Sequence, residues 1–109
     1  MKKEQLPEVV AAVARAIEAG KAAAAAAPDD GGTVNLDRVY LRVGLLREKT
    51  LHDAGLHGWM QSASTYHARA FHLGVPFDGQ GNRRYAGVQA MYKSLTAEGV
   101  DCGVWYQMD

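Results

Sequence analysis

Cysteine is nearly absent from this chain, with Cys102 the single one in 109 residues. That excludes an internal disulfide framework and a cysteine-based zinc site, and it fits a reducing interior, so the expected location is the cytoplasm. Net charge is missing as well. Twelve Lys and Arg balance twelve Asp and Glu, so the whole molecule offers no electrostatic funnel toward nucleic acid or an anionic membrane, and any attraction for anions has to be local. Long apolar runs are lacking too. The alanine run Ala22 to Ala27 is short and weakly hydrophobic, far from the 18 or more apolar residues of a spanning helix. The opening Met-Lys-Lys gives way to Glu4, Glu8, Arg15 and Glu18, not to the apolar core of a signal peptide, so no membrane partner is expected.

What is present suffices for one globular core. A composition 48% hydrophobic and 22% charged is that of an ordinary folded domain, and at this length folding buries roughly 60 to 70% of the surface an unfolded chain exposes.

Leu6, Val9, Val10, Val13 and Ile17 recur at i, i+3, i+4, i+7 spacing behind Pro7, which predicts an amphipathic helix over about residues 6–26. The run Pro28-Asp29-Asp30-Gly31-Gly32 stops that helix and supplies turn residues. The expected organisation is therefore a helix over 1–27, a linker over 28–32 and an α+β domain over 33–109. Within the domain, alternation from Thr33 to Val43 predicts a strand, Leu45 to Ala54 a short helix closed by Gly55, and Gly58–Ser62 with Thr65–Gly74 a hairpin around Ser62, Ala63 and Ser64. Asn82 to Glu98, with an Asn cap and Gly99 at its end, predicts a second helix, and Cys102 to Met108 a last strand. Strand, helix, strand, strand, helix, strand is the split βαβ order (βαββαβ) of ferredoxin-like domains.

Two places could carry function. The first is the turn that opens the second helix, where Gly79, Gln80, Gly81, Asn82, Arg83, Arg84 and Tyr85 follow one another. Free backbone N–H groups, two glycines that permit close approach and two arginines in the first turn suit a phosphate or carboxylate. Arginines oppose the helix dipole at that end, so either Asp78 or a ligand should neutralise them. The sequence is neither a Walker A loop nor the dinucleotide fingerprint, whose third glycine is replaced by Arg84.

The second place is the sheet face carrying Arg38, Tyr40, Arg42 and Trp105, joined by His67 and Arg69, while Val39, Leu41, Val43, Cys102, Val104, Tyr106 and Met108 face the helices. Arginines interleaved with aromatics on an open four-stranded sheet stack bases in RNA-recognition domains, although the RNP1 pattern is not present. Against this stands the apolar stripe of the N-terminal helix, which must be buried somewhere. It is expected to cover Tyr40 and Trp105, or else to mediate a homodimer.

His52 and His57, like His67 and His72, are five residues apart, which makes no two-histidine metal site within one element. Ser62, Ser64 and Ser94 lack a nucleophile-elbow context, and Cys102 fits a core position. No catalytic residue, metal or cofactor is expected.

The strings Asp30-Gly31-Gly32-Thr33-Val34-Asn35-Leu36-Asp37, Gly79-Gln80-Gly81-Asn82-Arg83-Arg84 and Trp105-Tyr106-Gln107-Met108-Asp109 together resemble small hypothetical proteins of bacteriophages and prophages. The likeness spans residues 30–109 and carries over no catalytic residue. It implies an accessory factor that antagonises host defence. On this reading the chain is a non-enzymatic protein that binds an anionic, nucleotide-type ligand, with Gln80, Gly81, Asn82, Arg83 and Arg84 on the phosphate and Tyr85 or Trp105 on the base. The alternatives are an anti-CRISPR-like protein that binds a host protein or nucleic-acid complex through Arg38, Tyr40, Arg42, Arg69 and Trp105, and a small metal-free enzyme.

Overall fold

In the computed structural model, which describes residues 1–28, 36–77 and 81–107, the apolar stripe of the N-terminus forms α1 (Leu6–Ala26). Alanines favour the helix, Pro7 occupies its first turn and Pro28 follows its end. The other elements are β1 (Arg38–Leu41), α2 (Glu48–Asp53), β2 (Gly58–Gln61), β3 (Ala70–Leu73), α3 (Asn82–Ala97) and β4 (Cys102–Trp105). Each strand is shorter than its alternating pattern. The expected strand residues 33–35 and Met108 lie outside the described residues.

The four strands make one antiparallel sheet in the order β2-β3-β1-β4, with helices packed on it, an α+β architecture. Two glycines with positive φ end α2 and α3 in the same way. Gly99 (φ 77°) lets Val100 N–H donate to Leu95 O at 3.0 Å, and Gly55 (φ 108°) lets Leu56 N–H donate to Leu51 O at 3.1 Å. Both are Schellman closures that satisfy carbonyls the helix leaves free.

The expectation that α1 covers Tyr40 and Trp105 is overturned. Leu6, Val9, Ala12, Val13 and Ala16 join Val39, Leu41, Phe71, Leu73, Val88, Met91 and Leu95 in a single buried core, which places α1 beside α3 on the opposite face of the sheet. Close approach of the two helices depends on Gly20 and Gly87. A β-carbon on Gly87 would run into the Phe77 ring, and one on Gly20 would stand 2.7 Å from Met91 Cγ. The stripe of α1 is thus buried within its own chain, and α2, a helix of six residues, sits at the sheet margin. Among the described residues, no helix is long and apolar enough to cross a membrane.

Candidate functional site

Alternation along β1 turns Val39 and Leu41 into the core and leaves Arg38, Tyr40 and Arg42 on the face away from the helices. Strand register then sets a row across that face. Trp59 pairs with His72, His72 with Tyr40 and Tyr40 with Gly103. The Tyr40 ring lies over Gly103, where any β-carbon would collide with it, so the glycine lets the tyrosine lie flat on the edge strand.

His72 is the hub of this face and only 1% exposed. Its ring stacks on Tyr40 with centroids 5.7 Å apart, and it also meets Trp59 at 5.7 Å and Trp105 at 5.2 Å. Arg38 spans the same cluster. Its Nε donates to His72 Nδ1 at 2.8 Å, its Nη1 donates to Leu36 O at 3.1 Å and Gln107 Oε1 at 2.9 Å, and its Cζ lies 5.1 Å from the Trp59 centroid and 5.5 Å from that of Trp105. Because Nδ1 accepts, the proton of the neutral ring sits on Nε2. Burial, then the Arg38 charge and then His67, push the His72 pKa down to about 4. Burial and the nearby Arg84 also lower that of Arg38, with Asp37 opposing them, yet a guanidinium stays charged throughout. Arg38 was expected on an open surface, but the two indoles and His72 enclose it.

The residues 62–69 between β2 and β3 form a longer connection than the expected turn at Ser62 to Ser64, and they arch over the sheet. Ser64 N–H donates to His67 O at 2.9 Å, the His67 ring lies 4.5 Å from that of Trp105, and Arg69 Nη1 donates to Gly44 O at 3.0 Å. Beneath them is a pocket of about 210 Å³ lined by Tyr40, Arg42, Tyr66, His67, Arg69, Ala70, His72 and Trp105. Arg42 is held at one wall by Asp101 Oδ1 (3.0 Å), Cys102 O (2.8 Å) and the Tyr40 hydroxyl (3.1 Å), and the bond to Asp101 holds its pKa up. Arg69 has no carboxylate within ion-pair distance among the described residues. The expected face residues Arg38, Tyr40, Arg42, Arg69 and Trp105 therefore do come together.

The helix-opening turn turns out differently. Asp78, Gly79 and Gln80 lie outside the described residues. Gly81, with φ 55°, caps α3, and Asn82 is its first helical residue rather than its cap. Arg84 points inward, donating from Nε to Asp37 O at 2.9 Å; burial lowers its pKa and Asp37 works against that. Arg83 Nε is buried without a hydrogen-bond partner among the described residues. Tyr85 is half exposed on the first turn, its N–H donating to Gly81 O at 3.0 Å.

Pieces of the three strings quoted above nonetheless converge here. Gln107 N–H donates to Asp37 Oδ1 at 2.8 Å, Leu36 N–H donates to Gln107 O at 2.8 Å, and Arg84 reaches the Asp37 carbonyl. This network fastens the entry of β1 to the exit of β4 and to the start of α3.

Trp59, Tyr66 and His72 were not anticipated as members of the face. Their signal was a histidine at an alternating position in the otherwise apolar run Ala70–Leu73, and a tryptophan out of phase with Met60. Neither can be interpreted before the hairpin register is known. Among the described residues no group of three or more His, Cys, Asp or Glu side chains is placed to hold a metal ion. Comparison with protein-family models, with curated proteins and with solved structures gives no match for this chain.

Proposed function

We propose that this chain is a non-enzymatic binding protein that holds an anionic aromatic ligand of nucleotide type on the open face of its sheet. One observation carries the reading. The pocket under residues 62–69 joins ring surfaces (Tyr40, His67, Trp105) to two guanidinium groups (Arg42, Arg69). A base needs a flat, polarisable wall, and a phosphate needs N–H donors in a fork. The volume, about 210 Å³, is below the roughly 300 to 1,000 Å³ of drug-sized sites, which suits one ring system with an attached anion.

This reading moves the phosphate from Arg84, which is occupied by Asp37, to Arg69 and Arg42. The split βαβ (ferredoxin-like) description of the sheet belongs to the same proposal, supported by the strand and helix order. In it α1 takes the place beside α3 that a longer crossover helix would fill. In the setting implied by the resemblance to phage proteins, the ligand would be a host nucleotide or nucleic acid, withheld from a defence system.

Both tryptophans of the chain, Trp59 and Trp105, are on this face, so intrinsic fluorescence reports on it alone. Titration with nucleoside mono- and diphosphates should quench that emission, and Arg69→Ala should weaken the response about tenfold or more, the loss of one charge-assisted contact. No quenching by any nucleotide would sink the proposal.

A further inference from the structure

We propose that the ligand of the sheet face is a segment of single-stranded nucleic acid, seated with one base in the pocket and a neighbouring base on Trp59. This rests on the nucleotide reading and narrows it. The pocket admits one ring system, yet the line of ring contacts continues past its wall through the buried His72. His67 meets Trp105 at 4.5 Å, Trp105 meets His72 at 5.2 Å, and His72 meets Trp59 at 5.7 Å. The line ends at Trp59, an indole 42% exposed on the edge strand β2 and braced from below by Arg38. Trp59 lies two strands from Tyr40, about 10 Å at the usual strand spacing. A base inside the pocket does not span that distance, but the next splayed nucleotide of a chain does.

Charge agrees with this occupant. Arg42 and Arg69 stand at the pocket, Arg69 has no carboxylate partner among the described residues, and Arg42 is paired with Asp101. Backbone phosphates would follow these arginines while the bases stack inward. A duplex keeps its bases stacked on one another, so this geometry selects unpaired strands, with little preference for base identity.

The test uses the full chain. Fluorescence anisotropy measures binding of a labelled eight-nucleotide oligothymidylate or oligouridylate, and tryptophan quenching measures the corresponding monophosphates. The oligomer should bind more tightly than the monophosphate. Trp59→Ala should weaken the oligomer by roughly 5- to 150-fold, the worth of one stacked base, and leave the monophosphate unchanged. Trp59→Phe, which keeps a ring on His72, should fall between, and it guards against a folding defect in the alanine variant. Affinity should drop with salt at a log–log slope of about −1.4, as for two neutralised phosphates.

If oligomer and monophosphate bind equally and both Trp59 variants are silent, the strand is overturned and the pocket reading survives. If neither binds, both fall. A dimer that Trp59→Ala converts to monomer, with no oligomer bound, would assign the face to a second copy of the chain and overturn the proposal.

Discussion

Arg38 donates from Nε to Nδ1 of His72 across 2.8 Å, so a fixed cation occupies the one ring nitrogen that a protonated histidine would need. The His72 pKa is about 4, against an ordinary 6.5. At pH above 6.5 the ring is neutral whether the chain is folded or not, and this group adds no pH dependence. Between 6.5 and 4 the unfolded chain takes up a proton that the folded chain refuses, so stability falls as pH falls. Below 4 both states are protonated and the loss levels off. From pH 7.5 to pH 5 the loss should be about 2 kcal/mol. Urea titrations at the two pH values check it, with His72→Gln as the control. Glutamine offers an acceptor to Arg38 without titrating, so the variant should lose this component of the slope. Equal slopes would refute the assignment.

The two arginines at the start of α3 should separate sharply. Arg84 bonds the Asp37 carbonyl and lies near its carboxylate, inside the network that joins β1 to Gln107. Arg84→Ala should cost about 1 to 3 kcal/mol, the range for a charge-assisted bond whose acceptor is then left buried. Arg83 Nε has no partner to lose among the described residues, so Arg83→Ala should be neutral or slightly stabilising. Thermal denaturation of the two variants measures this. A folded, unshifted Arg84→Ala would show that the arginine is free for a ligand after all.

At Gly87, two effects compete. Alanine in place of a mid-helix glycine usually gains about 1 kcal/mol. Here its β-carbon would meet the Phe77 ring, and overpacking costs about 1 to 3 kcal/mol. Since Phe77 is wedged between α1 and α3, the second effect should win and Gly87→Ala should be destabilising. Combined with Phe77→Leu, the substitution should become neutral or favourable, and the coupling is read from a double-mutant cycle in denaturant.

The secondary structure was largely legible in the residues. The stripe from Leu6 to Ile17, the alternation Arg38 to Arg42 and the glycines Gly55 and Gly99 each encode a local geometry, and the structure follows them. Which layer α1 joins was not legible, because an amphipathic stripe records how much surface must be buried and not against what. Small residues on facing helices settle it, and Gly20 and Gly87 are recognisable as partners only once the helices are side by side. The site divided in the same way. Arg38, Tyr40 and Arg42 share a face through strand period alone, whereas Trp59 and His72 join it through hairpin register, and residues 62–69 become a roof through long-range contacts. The arginines after Gly81 were conspicuous for opposing the helix dipole, and Arg84 found a backbone carbonyl, with the carboxylate of the same residue acting on it electrostatically. That residue is Asp37, 47 residues upstream of Arg84, a pairing that no local pattern encodes.

The placement of α1 also fixes an order of events. Its side chains are buried against α3, and Arg15 bonds Glu98 across 83 residues of chain. As the chain is synthesised, α1 emerges before the sheet and α3, and its alanine-rich sequence can become helical on its own. The surface that receives it does not exist until α3 and β4 have been made. Docking of α1 therefore closes a long loop, a step whose entropic cost places it late in folding. Until then the apolar stripe of α1 has no surface to pack on, and it is a stretch of sequence for which a chaperone would have use.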